Sequence, residues 1–227
     1  RISTRICTNI LGYNRIISQN HGHRNYSFDD SAATNGSCWK CKSASIGLFC
    51  TSCNVIQPIR APDYFSYLGL ERCWSINEPE LKQRFRKLQS QVHPDKFGQN
   101  SQREKEFSEQ HSSYLNNAYR TLRDPFLRAS YLLGVSVGDE EKSEKATDSQ
   151  LAMDMMELHE EIDDLSDANE LESKLAEVQS ELDRLFSHLG KYLENGNTEE
   201  ARKTLDRIRF FITAKRAVCG KLGRNRD

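Results

Sequence analysis

The sequence predicts an all-α protein, two successive helical units preceded by a small four-cysteine element. Apolar residues recur at spacings of three and four through most of the chain after residue 80. Most of these periodic segments are entered through a start signal, an Asn, Asp or Ser followed three residues on by Glu. With 227 residues, 37% hydrophobic and 29% charged, the composition suits small helical units better than one thick core. The expected organisation is a basic segment over 1–33, a cysteine element over 34–58, a first helical unit over 62–137, a linker over 138–147 and a helical bundle over 148–218.

The net charge of −1 hides an uneven distribution, close to +5 over residues 1–61, +2 over 62–137 and −8 over 138–227. An acidic C-terminal part argues against binding nucleic acid phosphates and for a basic protein partner. No apolar run approaches the length of a membrane span. Between Arg1 and Phe28 there are four arginines, several Ser, Thr and Asn, and no Asp or Glu. That is the composition of a mitochondrial transit peptide, the alternative being a disordered basic tail without a targeting role.

Four of the seven cysteines form two pairs, Cys38-Trp39-Lys40-Cys41 and Cys50-Thr51-Ser52-Cys53, with eight residues between the pairs. Each pair can curl round one cation, and Gly47 allows a hairpin that brings the pairs together. Four thiolates are the expected shell of one structural zinc ion, with no open position for catalysis. An iron site with the same ligands and a disulfide or redox pairing are the competing readings. So short a segment has little apolar material, so metal would supply much of its folding energy. Cys7, Cys73 and Cys219 have no comparable partners.

In the first helical unit, Asn77 with Glu80 starts a helix whose Leu81, Phe85, Leu88 and Val92 make one buried side. Lys82, Arg86 and Lys87 fall away from that stripe. Pro94 then disfavours helical geometry at His93, which sets His93 and Asp95 on a loop. Ser101 with Glu104 starts a second helix whose inner face is Phe107, His111, Tyr114, Leu115, Ala118 and Leu122. Asp124-Pro125 stops it, and 126–133 makes a short helix expected to pack back onto this first unit.

Three further helices are expected. The first, from about Asp148 to Leu165, turns Leu151, Met155, Leu158, Ile162 and Leu165 inward. Met153, Met156, Glu157, Glu160 and Asp164 form a second stripe, roughly opposite, where adaptable apolar side chains stand beside negative charge. The second is capped by Asp167 and carries Leu171, Leu175, Val178, Leu182, Leu185 and Leu189 at alternating spacing. Asn195-Gly196 ends it, and Asn197 with Glu200 starts the third, with Ala201, Leu205, Ile208 and Ile212 inward. Phe210 lies about 200° from Ile208 and Ile212 at 100° per residue, so it is expected to face away from that core. No nucleophile–base pair is visible, and the chain is not expected to be an enzyme.

His93-Pro94-Asp95 at the joint of two helices, after a basic helix and after Asp63-Tyr64-Phe65, resembles a J-domain. With Leu115-Asn116-Asn117-Ala118-Tyr119-Arg120-Thr121-Leu122-Arg123-Asp124-Pro125, then Arg128-Ala129-Ser130-Tyr131-Leu132-Leu133 and an acidic three-helix bundle, the chain resembles the HscB family of J-type co-chaperones. The likeness covers residues from about 63 to 216, and the cysteine tetrad resembles the extra N-terminal element of animal mitochondrial members.

The resemblance implies a J-domain that docks on a DnaK-type mitochondrial chaperone and stimulates its ATPase. It implies a bundle that holds the iron–sulfur scaffold IscU and delivers it, promoting cluster transfer to recipient apoproteins. It assigns Lys82, Arg86, Lys87, His93, Pro94 and Asp95 to the chaperone, and Met153, Met156, Glu157, Glu160, Asp164 and Phe210 to the scaffold. Ala152 and Asp164 depart from the larger apolar residue and the Glu usual there. The implied location is the mitochondrial matrix, with the cytoplasm as a second site and a homodimer as a further partner state. A general J-protein presenting unfolded clients is the alternative, distinguished by what a pull-down brings.

Overall fold

The computed structural model describes residues 36–60, 63–135 and 149–224. The basic segment 1–33 and the linker 138–147 lie outside the described residues. The elements are α1 (Tyr64–Tyr67), α2 (Glu78–Val92), a 3₁₀ turn (Pro94–Phe97), α3 (Gln102–Arg123), α4 (Pro125–Leu133), α5 (Ser149–Asp164), α6 (Ala168–Glu194) and α7 (Thr198–Lys221). No strand forms among the described residues, only isolated bridges near the cysteines. No described helix is long and apolar enough to cross a membrane. The chain divides into two compact units.

One unit carries the cysteine element, α1, α2 and α3. Its helices begin where the cap chemistry places them. The Asn77 side chain accepts from the Glu80 amide, and Ser101 and Glu104 form a reciprocal capping box. Leu81 and Val92 of α2, and His111, Leu115, Ala118 and Leu122 of α3, are buried. The Ser108 hydroxyl donates to the Val92 carbonyl at 2.8 Å, tying the last turn of α2 to α3. Arg84 donates to the carbonyls of Leu68 and Gly69, at 3.2 and 2.6 Å, and satisfies the end of α1. Gly69 has φ +68, a left-handed backbone that favours glycine, and an added Cβ would also displace the Arg84 Nη1, now 2.6 Å from where that Cβ would lie.

The other unit contains Cys73–Ser75 and α4 to α7. Val178, Leu182, Leu185, Leu189 and Leu193 of α6 pack on Ala201, Leu205 and Ile208 of α7, as their spacing requires. Two expectations are corrected here. The short helix α4 belongs to this unit and not to the first one. Ala129 and Leu133 are buried in the α6–α7 core, and the Arg202 guanidinium donates to the Leu133 carbonyl at 2.6 Å. Pro125 starts α4 afresh after α3, and the apolar side of α4 is buried in that core.

Phe210 is the second correction. It is 4% exposed, set edge-to-face with His159 of α5 at 5.6 Å and with Phe211 at 5.1 Å. Helix α7 is buried on two sides. Ala201, Leu205 and Ile208 face α6, while Phe210, Ala214 and Val218 form the opposite stripe, where Ala214 and Val218 pack with Ile162 of α5. A ring turned away from the first core is therefore in a second one. Phe210→Ala should lower unfolding stability by about 3 kcal/mol, as aromatic truncation in a core does, measured by urea denaturation followed by helicity. A change under about 0.5 kcal/mol, the range of a surface substitution, would contradict its burial.

Candidate functional site

The cysteine element is two copies of one small hairpin, offset by twelve residues. Antiparallel bridges Ser37–Ala44 and Phe49–Ile56 each enclose one Cys-x-x-Cys. In the first copy the Cys38 amide donates to the Ser43 carbonyl at 2.7 Å and the Lys42 amide to the Cys38 carbonyl at 3.0 Å. In the second, Cys50 donates to Val55 and Asn54 to Cys50, both at 2.9 Å. Lys42 and Asn54 hold matching positive φ values of 65° and 55°, the tight turn that returns each second cysteine. The Lys40 and Ser52 amides point at the Cys38 and Cys50 sulfurs, both at 3.4 Å.

All four Sγ atoms lie within 4.8 Å of one another. Cys38–Cys53 and Cys41–Cys50 are each 3.6 Å apart, beyond any disulfide bond of about 2.05 Å. They are close to the roughly 3.8 Å between sulfurs at four tetrahedral corners about 2.3 Å from a zinc-sized ion. The residues thus fit one metal ion held by Cys38, Cys41, Cys50 and Cys53. The Ser43 hydroxyl, with backbone amides, draws the Cys50 thiol down to about 5, whereas burial pushes Cys53 up to about 12. A cation among them allows all four to be thiolates together. Cys73 and Cys219 stand outside this cluster, and Cys7 lies outside the described residues.

The element is built into the helical unit beside it. Trp39 packs edge-on to Phe107 of α3 at 6.0 Å, with the Arg103 guanidinium 5.0 Å over its ring, and its Nε1 donates to the Ile56 carbonyl at 2.7 Å. His111 of α3 is buried between two partners. Its Nε2 donates to the Gln57 carbonyl at 2.8 Å, which leaves Nδ1 to accept from the Tyr67 hydroxyl at 2.7 Å. The Gln57 side chain donates to the Cys38 sulfur at 3.4 Å. A polar chain therefore runs from α1 through α3 to a cysteine of the tetrad. Sequence reasoning placed His111 on the inner face but missed Gln57 and Ser43, whose only signal was proximity to the pairs.

The His-Pro-Asp segment is a 3₁₀ turn rather than an irregular loop. His93 caps it, its Nδ1 accepting from the Asp95 amide at 3.3 Å, and the Lys96 amide donates to the His93 carbonyl at 3.0 Å. Phe97, unremarked in the sequence reading, is buried and anchors the turn. Asp95 projects outward, its side chain 88% exposed, 3.4 Å from the His93 ring. Lys82, Arg86 and Lys87 are exposed along α2. The turn is fixed from below and open above.

In the C-terminal unit, α5 turns Leu158, Ile162 and Leu165 inward. Met153 and Met156 are 60% and 65% exposed, and with Ile46 they are the exposed large hydrophobic side chains among the described residues. Glu157, Glu160 and Asp164 are exposed on the same helix. The structure therefore keeps on the surface all five residues of the expected stripe and withdraws Phe210, the sixth residue that the resemblance assigned to the scaffold.

Residues 147–218 match the family model described as HSCB C-terminal oligomerisation domain, and residues 63–131 match the DnaJ domain. The mouse (Mus musculus) protein named iron-sulfur cluster co-chaperone protein HscB is 34% identical over 190 residues, covering 80% of each chain. The crystal structure of human co-chaperone protein HscB superposes with a TM-score of 0.73 at 30% identity, over 82% of this chain and 98% of that one. Chaperone HscB from Vibrio cholerae gives 0.61 at 28%, over 69% and 94%.

His111 sets a pH dependence. Burial holds its pKa below the ordinary 6.5, partly offset by its bond to Gln57. The unfolded chain then binds a proton the folded one refuses. This contribution to stability is complete above about pH 6.5 and is lost as the pH falls below it. In urea titrations, His111→Gln should flatten the decline in midpoint between about pH 6.5 and 5 relative to wild type. Identical pH slopes for the two proteins would refute a buried, neutral His111.

Proposed function

From the premise that this chain belongs to the HscB family of iron–sulfur cluster co-chaperones, we propose that it brings the cluster scaffold IscU to a DnaK-type chaperone and triggers that chaperone's ATPase. The observation that carries this reading is the pair of exposed methionines, Met153 and Met156, on an acidic helix of the HscB-type domain. A folded monomer gains nothing from two large apolar side chains in water. Beside Glu157, Glu160 and Asp164 they suit a scaffold surface that is apolar and basic.

The J-domain supplies the second contact. Lys82, Arg86 and Lys87 give α2 a basic face that is steered toward acidic surface on the chaperone. Asp95, presented by the pinned turn, offers a carboxylate to an arginine there, a charge-assisted pair an amide cannot fully replace. His93 braces Asp95 through its amide, and Pro94 holds the turn out of the helix. No bond is made or broken on this chain. The ATPase chemistry belongs to the chaperone, and the gain is effective concentration, because scaffold and chaperone meet on one molecule.

The tetrad residues Cys38, Cys41, Cys50 and Cys53 would hold one zinc ion, which when bound cross-links the two hairpins and stiffens them against α3. The acid-poor, arginine-rich segment before Phe28 supports import into the mitochondrial matrix.

The two surfaces should be separable. His93→Gln and Asp95→Asn should abolish stimulation of single-turnover ATP hydrolysis by the mitochondrial DnaK-type chaperone while leaving IscU affinity intact. Met153→Ala with Met156→Ala should do the reverse, weakening IscU binding by on the order of 1–3 kcal/mol per side chain. Undiminished stimulation by the His93 and Asp95 variants would end the J-domain part of the reading. Undiminished IscU affinity in the methionine variant would end the scaffold part.

Metal content checks the third element. The purified chain should carry about one equivalent of zinc, and Cys41→Ser should release it while sparing the helices of the C-terminal unit. Stoichiometric iron, or no metal under reducing conditions, would overturn zinc.

A further inference from the structure

Helix α5 is the least buried of the three long helices of the C-terminal unit. Among its described side chains Ile162 is the one that is fully buried, against seven buried residues in each of α6 and α7. Its apolar anchors Leu158, Ile162 and Leu165 all lie in its C-terminal half or just beyond, packed on Leu171, Ala214 and Val218. The exposed Met153 stands about 14 Å up the axis from Ile162, at 1.5 Å per residue. A swing of about 10° at the anchored end would carry Met153 more than about 2 Å. What fixes that end therefore fixes the methionine face.

The fixing group is Lys221. Its ammonium donates to the Ile162 carbonyl at 2.8 Å, the Asp163 carbonyl at 2.5 Å and the Leu165 carbonyl at 3.1 Å. Three donors meet three carbonyls at the end of α5, where no intrahelical partner exists and the helix dipole is negative. On α7, Lys221 continues the stripe Phe210, Ala214, Ala217 that meets α5, at spacings of four, three and four. Its own position is held closely. Gly223 has φ +65, and the Arg224 amide closes on the Cys219 carbonyl at 3.0 Å, a helix stop of Schellman type. Leu222 packs on the α5 cluster, and Arg224 pairs through both guanidinium nitrogens with Glu172 of α6. Residues 219–224 lie beyond the 147–218 matched to the family domain, so this clasp is not part of what the match conveys.

We propose that Lys221 is the positioning residue of the scaffold-contacting helix, a cationic clasp that sets the angle of α5 and with it the presentation of Met153 and Met156. This rests on the reading of α5 as the scaffold face. Lys174 assists from α6 through its 2.6 Å pair with Glu161, but it grips a side chain, whereas Lys221 grips backbone.

In the full chain, Lys221→Met should speed hydrogen exchange of α5 amides roughly tenfold while α3 and α6 amides keep their protection. Binding of purified IscU should weaken by a similar factor, and Lys221→Arg, which keeps the charge and the donors, should restore both. Unchanged α5 exchange in Lys221→Met overturns the clasp. Faster exchange with unchanged IscU affinity overturns its positioning role. Should Lys221→Met lose its cooperative unfolding, Lys221→Gln, which removes the charge and one of the three donors, is read in its place by the same two outcomes. If wild-type chain itself fails to bind IscU, the scaffold reading falls, while the clasp is judged on exchange alone.

Discussion

Both sides of α7 are buried, and the C-terminal unit is organised by that constraint. Ala201, Leu205 and Ile208 close the larger core with the leucines of α6, and α4 adds Ala129 and Leu133 to it. Phe210, Ala214 and Val218 on the opposite side receive α5. A helix with one apolar face can hold one neighbour, whereas a helix with two can hold a core on one side and a working element on the other. Because α5 is held from one side only, its remaining surface stays free for Met153, Met156 and the carboxylates. The larger core supplies stability, and the smaller one positions the methionine face.

The N-terminal unit solves a different problem. A 25-residue cysteine element has almost no apolar core of its own, with Cys38, Cys50 and Val55 at its centre. It therefore relies on contacts with α3 outside and on four cysteines placed to fit one metal ion within. Trp39 on Phe107, and the run Tyr67–His111–Gln57–Cys38, join it to the J-domain helices. A buried histidine with both nitrogens occupied is costly to disturb, since an unmade bond there leaves a buried polar atom without water. The element and α3 are in this sense one core.

Neither of the two proposed contact surfaces is a cleft. The His-Pro-Asp turn is a projection pinned by Phe97 and by the Ser108–Val92 bond, and the methionine face is a helix side. Rigid support beneath and solvent above is the arrangement a protein–protein contact needs, because ordering costs are met before the partner arrives. Under the function proposed above, the chain works by holding two other molecules.

Much of this was legible in the sequence because its causes are local. Asn77, Ser101, Asp167 and Asn197 cap helices through bonds to amides two or three residues away, so the starts could be read directly. The cysteine spacing alone determined that four sulfurs could converge, and periodicity alone placed Met153 and Met156 outside the core. What surrounds a helix is not local, and there the tertiary structure decided. Phe210 points away from Ile208 as its angle requires, but whether water or α5 waits on that side depends on residues some fifty positions earlier in the chain. The same holds for α4, whose own sequence does not say which core receives Ala129 and Leu133. It holds for Lys221, whose three acceptors are carbonyls, and every residue has a carbonyl. Sequence determines which faces are apolar and where helices begin. Only packing determines which face meets which, because burial is non-directional and rewards any partner of fitting shape.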